Sequence, residues 1–274
     1  MNRIFLMVLC CTLFFAGLYA QPIADPKLIE QRVHAELDAW QQDPAQLSFV
    51  ARHFPERQRP LTEYGLQQFV LSRIHEMGMT TSSAPIAAVD AHSADPHYSP
   101  GESNSSPITR DSLILIDLWA KQTAPGSVYG DITWTGYTGQ LVPPKHRLIF
   151  QHVQQGRDAA VSFVQAQLVA GRFPFGWEID DVCRHKIREA GYGDFFIHRT
   201  GHSIGEEVHG NGANIDNLET HDGRQILPNT CFSIEPGIYL PGEFGIRSEL
   251  DVYVTDQEAI VHGLPLQTEI VPLL

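Results

Sequence analysis

The chain has 274 residues, of which 43% are hydrophobic and 19% charged, a composition typical of a globular protein with one main domain. Its formal net charge of −13 repels phosphate backbones, so we expect no nucleic-acid partner, and it suits hard cations. Two of the four cysteines, Cys10 and Cys11, lie in the first twenty residues. The other two, Cys183 and Cys231, are too few for a disulfide framework or a cysteine zinc site, and we expect two packed thiols, with one bridge as the alternative.

Residues 1–20, MNRIFLMVLCCTLFFAGLYA, combine one early charge, an apolar stretch and a small residue, Ala20, at which cleavage could occur. This pattern predicts a secretory signal and export to the periplasm or the extracellular space, with no stable membrane insertion after cleavage. The apolar run is short for a bilayer span and is interrupted by polar residues, which disfavours an uncleaved anchor. Without a genuine signal the protein would be cytoplasmic.

Helical spacing of apolar residues comes next in the chain. Residues 21–61 contain one such pattern, broken by Pro44, Pro55 and Pro60, and are predicted to form a helical lead-in. A second helix is predicted from Thr62 to a stop at Gly78. Residues 91–110 are polar and rich in Pro, Ser and Gly, which predicts a loop.

From Asp111 onward the sequence contains short apolar runs bounded by Gly or Pro, a pattern that predicts β-strands. The runs are LILIDLWA, DITWTGYTG, CFSIEPGIYL and IRSELDVYVT. Between them, helical patterns cover residues 145–171 and 178–190. We therefore predict an α+β domain over residues 62–274 with two quasi-symmetric halves, each a helix followed by two paired strands.

Four carboxylates fall within these strands. Asp117 and Glu235 lie in apolar runs, where a lone carboxylate loses hydration worth several kcal/mol unless a cation or a proton compensates. Asp131 and Glu249 lie on the next strand in each half, so each hairpin can bring two carboxylates to one side of the sheet. Divalent cations would relieve the repulsion among the four.

A mixed nitrogen and oxygen site suits Mn, Co, Zn or Fe, so an imidazole is expected beside the carboxylates. The segment HRTGHSIGEEVHG offers three candidates, His198, His202 and His209. Gly201 and Gly205 would let the backbone approach the site closely. Residue pattern alone does not choose among the three histidines.

The segments DLWAK, DIT, HRTGHSIG with His209, FSIEPGIYL and GIRSEL occur in that order. Together they resemble the pita-bread metallopeptidases (methionine aminopeptidase, Xaa-Pro aminopeptidase and prolidase), nearest to the proline-specific branch. The resemblance covers about residues 62 to 256 and implies the pita-bread fold, an antiparallel sheet with pseudo-two-fold helix-plus-hairpin halves. By this resemblance, we expect that most of the separate amino-terminal domain usual in the proline-specific branch is not included in the sequence, which a truncated form of a longer enzyme would also explain.

The resemblance also implies roles for particular residues. The implied metal ligands are Asp117, Asp131, His202, Glu235 and Glu249. They would hold two divalent ions, for which Mn is the first expectation and Co, Zn or Fe are the alternatives. The implied activity is hydrolysis of Xaa-Pro peptide bonds by metal-activated water. By the same carry-over, His97 and His209 contact the substrate or the tetrahedral intermediate, and Glu235 also shuttles a proton. His198 and Arg247 line the substrate side, and Arg247 also supports Glu249. Apart from the resemblance, the expected partners are a peptide substrate and, as one assembly, a second copy in a homodimer.

Two other functional classes stay open from the sequence. Gly201-His202-Ser203-Ile204-Gly205 matches the G-x-S-x-G nucleophile elbow of serine hydrolases, which requires a strand before the serine and a helix after it. The residues that follow, EEVHGNGAN, form a poor helix because glycines arrive early. A pita-bread protein that is not a peptidase, such as a creatinase-like amidinohydrolase or a binding module, is the other alternative, because a fold does not fix a function.

Overall fold

The computed structural model describes residues 61–273. The predicted signal and nearly all of the predicted helical lead-in lie outside these residues. Within the described part of the chain, no helix is both long enough and apolar enough to cross a membrane. Cys183 and Cys231 are both free thiols, as expected.

The first half of the fold is a helix laid on a sheet. Helix α1 (Glu63–Glu76) begins after Thr62, whose hydroxyl accepts a hydrogen bond from the Gly65 amide as an N-cap. The strands that follow are β1 (Met79–Thr80), β2 (Ile86–Val89), β3 (Leu113–Gln122) and β4 (Gly130–Tyr137). A short 3₁₀ helix, Asp90–Ala94, follows β2 inside the segment predicted as a loop.

Alternation along β3 explains how this half divides its two faces. Ile114, Ile116 and Leu118 pack into one apolar cluster with the buried side chains of α1. Residues at odd positions point to the opposite face, which is therefore the face of Asp117. The register of β3 with β4 pairs Asp117 with Thr133 and Trp119 with Asp131, so the two aspartates share that face, as predicted.

The second half begins with two packed helices, α2 (Pro144–Val169) and α3 (Gly176–Glu189). The strands after them are β5 (Ser203–Ile204), β6 (Thr230–Ile234), β7 (Gly237–Leu240), β8 (Phe244–Arg247), β9 (Leu250–Val254), β10 (Ala259–His262) and β11 (Val271–Pro272). A large apolar core joins α2 and α3 to β6, β9 and neighbouring strands.

The strands form three sheets. One has the order β1-β3-β4-β11, with β2 also paired to β3; the second has the order β10-β9-β6-β5; β7 and β8 form a separate hairpin. All pairings are antiparallel except that of β11 with β4. The α+β class and the antiparallel sheets predicted from the sequence are confirmed.

Two predicted strands are each divided in the structure. The run 231–240 breaks into β6 and β7 around Glu235 and Pro236, and the run 246–255 breaks into β8 and β9 around Ser248 and Glu249. Proline has no amide hydrogen to donate to a ladder, so a break at Pro236 is physically expected. The prediction that Glu235 and Glu249 lie within strands was wrong, because both acids lie in the breaks.

Candidate metal centre

Three predicted ligands converge closely. One ligand atom from each of Asp131, His202 and Glu249 lies within 4.8 Å of the other two, and all three residues are buried. The Nε2 atom of His202 lies 3.5 Å from Asp131 Oδ2 and 3.4 Å from Glu235 Oε1. Of the three candidate histidines, His202 is thus the one whose ring lies against two of the carboxylates.

Glu235 and Glu249 meet through strand register. The antiparallel pairing of β6 with β9 ends at Ile234 and Leu250, so Glu235 and Glu249 stand opposite each other one step beyond. The Thr133 hydroxyl on β4 donates to Glu249 Oε2 at 2.7 Å, and this hydrogen bond carries the second half of the site onto the Asp117 face of the first sheet. The four carboxylates therefore line one space between the two halves.

Burial leaves the carboxylates without enough protein partners. Asp117 Oδ1, Asp131 Oδ1 and Glu249 Oε1 are buried oxygens with no hydrogen bond. Burial, followed by the repulsion of neighbouring carboxylates, raises the pKa of Asp131 and of Glu249 well above their usual ranges. Burial also raises the pKa of Glu235, to about 7, against the attraction of His202 and Arg247. Unpaired carboxylate oxygens beside an imidazole fit a divalent cation of the Mn, Fe, Co or Zn type.

Arg247 supports two of the acids from behind, one directly and one through Thr133. Its guanidinium is buried and donates to Asp117 Oδ2 at 2.5 Å, to the Thr133 hydroxyl at 3.0 Å and to the Tyr239 hydroxyl at 2.9 Å. It reaches Glu249 only through Thr133. These hydrogen bonds show that Arg247 holds Asp117 in place, while its predicted role beside the substrate stays a prediction.

His198 is also engaged with the protein. Its Nδ1 lies 2.7 Å from the Arg199 carbonyl and its Nε2 2.7 Å from the Tyr239 hydroxyl. The carbonyl must accept, so Nδ1 carries the hydrogen and Nε2 accepts from Tyr239. The side chain is 7% exposed, and burial lowers its pKa to about 3, with Arg247 adding to the shift. His198 therefore supports Tyr239, and its predicted place beside the substrate stays a prediction.

His209 and His97 lie at the open side of the cluster. The rings of His209 and His202 meet edge to face, with 4.3 Å between their centroids, and His209 is exposed. Partial burial and the neighbouring His202 lower the pKa of His209 to about 4, so it is neutral at pH 7. His97 is exposed as well, and it contributes to the lowered pKa of both His198 and His209.

A buried ion pair on α3 holds the segment that carries His202. Asp180 and Arg184 are joined by two hydrogen bonds of 2.9 Å. Arg184 donates to the carbonyls of Phe196 and His198, while Asp180 accepts from the amide and the hydroxyl of Thr200. The Glu235 amide then donates to the Thr200 carbonyl at 2.7 Å, which ties that acid to the same support.

One of the two predicted glycine positions permits close backbone approach. A Cβ at Gly201 would lie 1.9 Å from the Ser233 carbonyl oxygen, so a glycine is required there. A Cβ at Gly205 would meet no atom within 4 Å, and the expectation for Gly205 was wrong.

The nucleophile elbow expected as an alternative is not formed. Ser203 lies within the short strand β5, and residues 205–229 contain no helix. The Ser203 hydroxyl accepts a hydrogen bond from the Gly212 amide at 3.0 Å. The strand–turn–helix that exposes a catalytic serine is therefore missing from this part of the chain.

Four contributors to the site were missed from the sequence. Thr133, Tyr239 and Asp251 connect the acids and their supports, Asp251 through a 2.9 Å bond from the Asp131 amide. Trp119 shares the Asp117 face, and its indole N–H is buried without a partner. Strand alternation in DLWAK could have indicated Trp119, whereas the other three depend on contacts between distant segments.

Comparison with known proteins gives one consistent result. Residues 44–256 match metallopeptidase family M24. The chain is 34% identical over 177 residues to an Xaa-Pro dipeptidase of Lactobacillus delbrueckii subsp. lactis, covering 62% of this chain and 42% of the relative. It is 33% identical over 174 residues to an Xaa-Pro dipeptidase of Pyrococcus furiosus, covering 64% and 45%.

Solved structures show the same likeness. A prolidase from Thermococcus sibiricus is similar with a TM-score of 0.67 and 26% identity, covering 82% of this chain and 57% of that one. Dipeptidase PepE from Mycobacterium ulcerans is similar with a TM-score of 0.66 and 28% identity, covering 87% and 60%. The pita-bread fold expected from the resemblance is confirmed. The chain spans about half the length of the curated relatives that it matches.

The buried His198 predicts a pH dependence of stability. Its folded-state pKa of about 3 lies below the ordinary value of 6.5. Between these two pH values His198 is therefore protonated in the unfolded chain and neutral in the folded protein. The stability that His198 contributes is present above pH 6.5 and is lost as the pH falls toward 3. Relative to His198→Gln, the wild type should lose on the order of 4 kcal/mol of unfolding free energy over that range. Urea titrations at several pH values measure it, and parallel profiles would contradict it.

Proposed function

Because this chain belongs to metallopeptidase family M24, we propose that it is a dinuclear metal-dependent aminopeptidase or dipeptidase that cleaves Xaa-Pro peptide bonds. The observation that carries the proposal is the buried cluster of Asp131, His202 and Glu249 with its unpaired carboxylate oxygens. The Xaa-Pro specificity is supported by relatives that are described as Xaa-Pro dipeptidases.

The proposed ligands are Asp117, Asp131, His202, Glu235 and Glu249, and the proposed metal is Mn. When two divalent cations are bound, they supply a nucleophilic water at neutral pH and polarise the scissile carbonyl. Glu235 is proposed to hold the proton released by that water and to pass it to the leaving nitrogen.

His209 and His97 are proposed to stabilise the oxyanion and to orient the substrate. Both lie on the exposed side of the cluster, where a peptide would enter. A neutral His209 retains one N–H to donate at pH 7, and such a donor acts most strongly when charge develops on the carbonyl oxygen. The natural assembly is proposed to be a homodimer.

The proposed activity predicts release of free proline from Xaa-Pro dipeptides in the presence of Mn. Removal of metal should abolish that release, because the buried carboxylates have no other sufficient compensation. The measurement is a panel of Xaa-Pro and Xaa-Ala dipeptides with and without Mn or a chelator, and Ser203→Ala serves as the control. Full activity in protein shown to be metal-free by elemental analysis, or activity that Ser203→Ala abolishes, would overturn the proposal.

Replacing His202 or His209 with Ala should reduce activity for different reasons in the two variants. His202→Ala should lower the number of bound metal ions and respond poorly to excess metal, since a ligand is lost. His209→Ala should keep its metal and its melting temperature while kcat falls by about 100- to 1,000-fold. Metal stoichiometry, Tm and kcat on both variants test this assignment. Equal metal loss in the two would show that the ligand histidine is assigned wrongly.

Export is proposed from the amino-terminal pattern alone. The mature protein should then begin close to Gln21 in a periplasmic or extracellular fraction. Amino-terminal sequencing of the native protein measures this, and an intact Met1 on cytosolic protein would refute export without affecting the metal assignment.

A further inference from the structure

Glu63, the first residue of α1, has a carboxylate that the catalytic argument does not use. The side chain is fully buried and accepts hydrogen bonds from four different residues. These are the Val89 amide at 2.7 Å, His92 Nδ1 at 3.0 Å, the Tyr98 hydroxyl at 2.8 Å and the Ser106 amide at 2.7 Å. None of these donors belongs to α1. The Glu63 carboxylate therefore anchors the segment of residues 89–106, which lies beside the helix.

The four donors lie on both sides of His97 in the chain. His92 precedes it, Tyr98 follows it directly, and their rings stack at 4.4 Å between centroids. Because both rings bond the same carboxylate, the short stretch between them is closed into a loop whose two ends are fixed. The exposed side chain of His97 stands on that loop.

The same loop is attached to the metal-site half of the protein. The Gly245 amide donates to the Ser93 hydroxyl at 2.9 Å, and Arg247 donates to the Pro96 carbonyl at 3.4 Å. A Cβ at Gly245 would lie 2.1 Å from the Ser93 carbonyl oxygen, so the two backbones touch there. Glu63 thus holds the loop on one side while β8, which carries Arg247, holds it on the other.

We propose that Glu63 is the positioning residue of His97, fixing that imidazole against the substrate through His92 and Tyr98. This inference rests on the proposed peptidase function. The segment between β2 and β3 forms no ladder around His97, so its path depends on such side-chain bonds. A displacement of about 1 Å at a substrate-contacting group can cost 100-fold in rate.

Glu63→Gln tests the proposal, because glutamine keeps the shape but replaces one accepting oxygen with a donor that faces other donors. We expect kcat to fall at least tenfold per folded molecule, with metal content unchanged. In a His97→Ala background the same substitution should change kcat less than twofold, since the group that it positions is gone. Equal fold-losses in the two backgrounds would overturn the proposal.

Asp216→Asn is the matched control. Asp216 is also buried and accepts from the amides of Leu218, Glu219 and Thr220 and from the Thr220 hydroxyl, all within its own turn. Its loss should lower Tm and leave kcat per folded molecule unchanged. If Glu63→Gln behaves in the same way, with only Tm affected, Glu63 is merely structural and the proposal is wrong.

Two further measurements keep the test decisive. If Glu63→Gln does not fold, Tyr98→Phe removes one donor from the same carboxylate and should lower kcat by a smaller factor that again vanishes in the His97→Ala background. Hydrogen–deuterium exchange should rise over residues 89–106 in Glu63→Gln, and an unchanged exchange pattern would overturn the anchoring. A wild type that cleaves no dipeptide while this exchange rises would refute the proposed function and leave the anchoring in place.

Discussion

The burial of carboxylates around the Arg247 guanidinium is the constraint on which the rest of this structure depends. Asp117 and Asp131 lie more than a hundred residues from Glu235 and Glu249 in the chain, yet the four line one space in which three of them are buried. Arg247 bonds Asp117 directly and lies 4.0 Å from Glu235. One guanidinium cannot balance four carboxylates, so the folded protein either keeps protons on some of them or binds cations.

The supports of the site form a chain of hydrogen bonds that starts at Arg247. Tyr239 connects Arg247 to His198, and the His198 carbonyl is in turn held by Arg184 on α3. Each link fixes a donor or acceptor whose alternative would be an unpaired buried group, which costs about 1–3 kcal/mol. Through Arg247, this chain of hydrogen bonds also fixes the position of Asp117.

The alternation of residues along strands and the cost of burying unpaired carboxylates were enough to predict from the sequence which four acids converge. Asp117 and Asp131 could be placed on one face because alternation along a strand has a fixed period, and the register confirms it. Glu235 and Glu249 were expected inside strands, but the strands are interrupted at Glu235–Pro236 and at Ser248–Glu249. The acids still meet, because register propagates from β6 and β9 across the break.

Contacts between distant segments could not be predicted in the same way. Nothing local to Glu63 distinguishes it from an ordinary acid in the first turn of a helix, where the helix dipole alone favours a negative charge. Its partners are 26 to 43 residues away along the chain. The same holds for Arg247, whose pairing with Asp117 spans 130 residues. Such choices are made by tertiary packing, which single-sequence patterns do not encode.

The two halves of the fold and the site are joined by the same bonds. The Asp131 amide donates to Asp251, the Thr133 hydroxyl to Glu249 and the Thr135 hydroxyl to the Arg247 carbonyl, so alternate residues of β4 are each tied to the β8–β9 region. A shift of one half against the other would break all three bonds and separate the ligands together. The positions of the acids are therefore coupled to the packing of the two halves against each other.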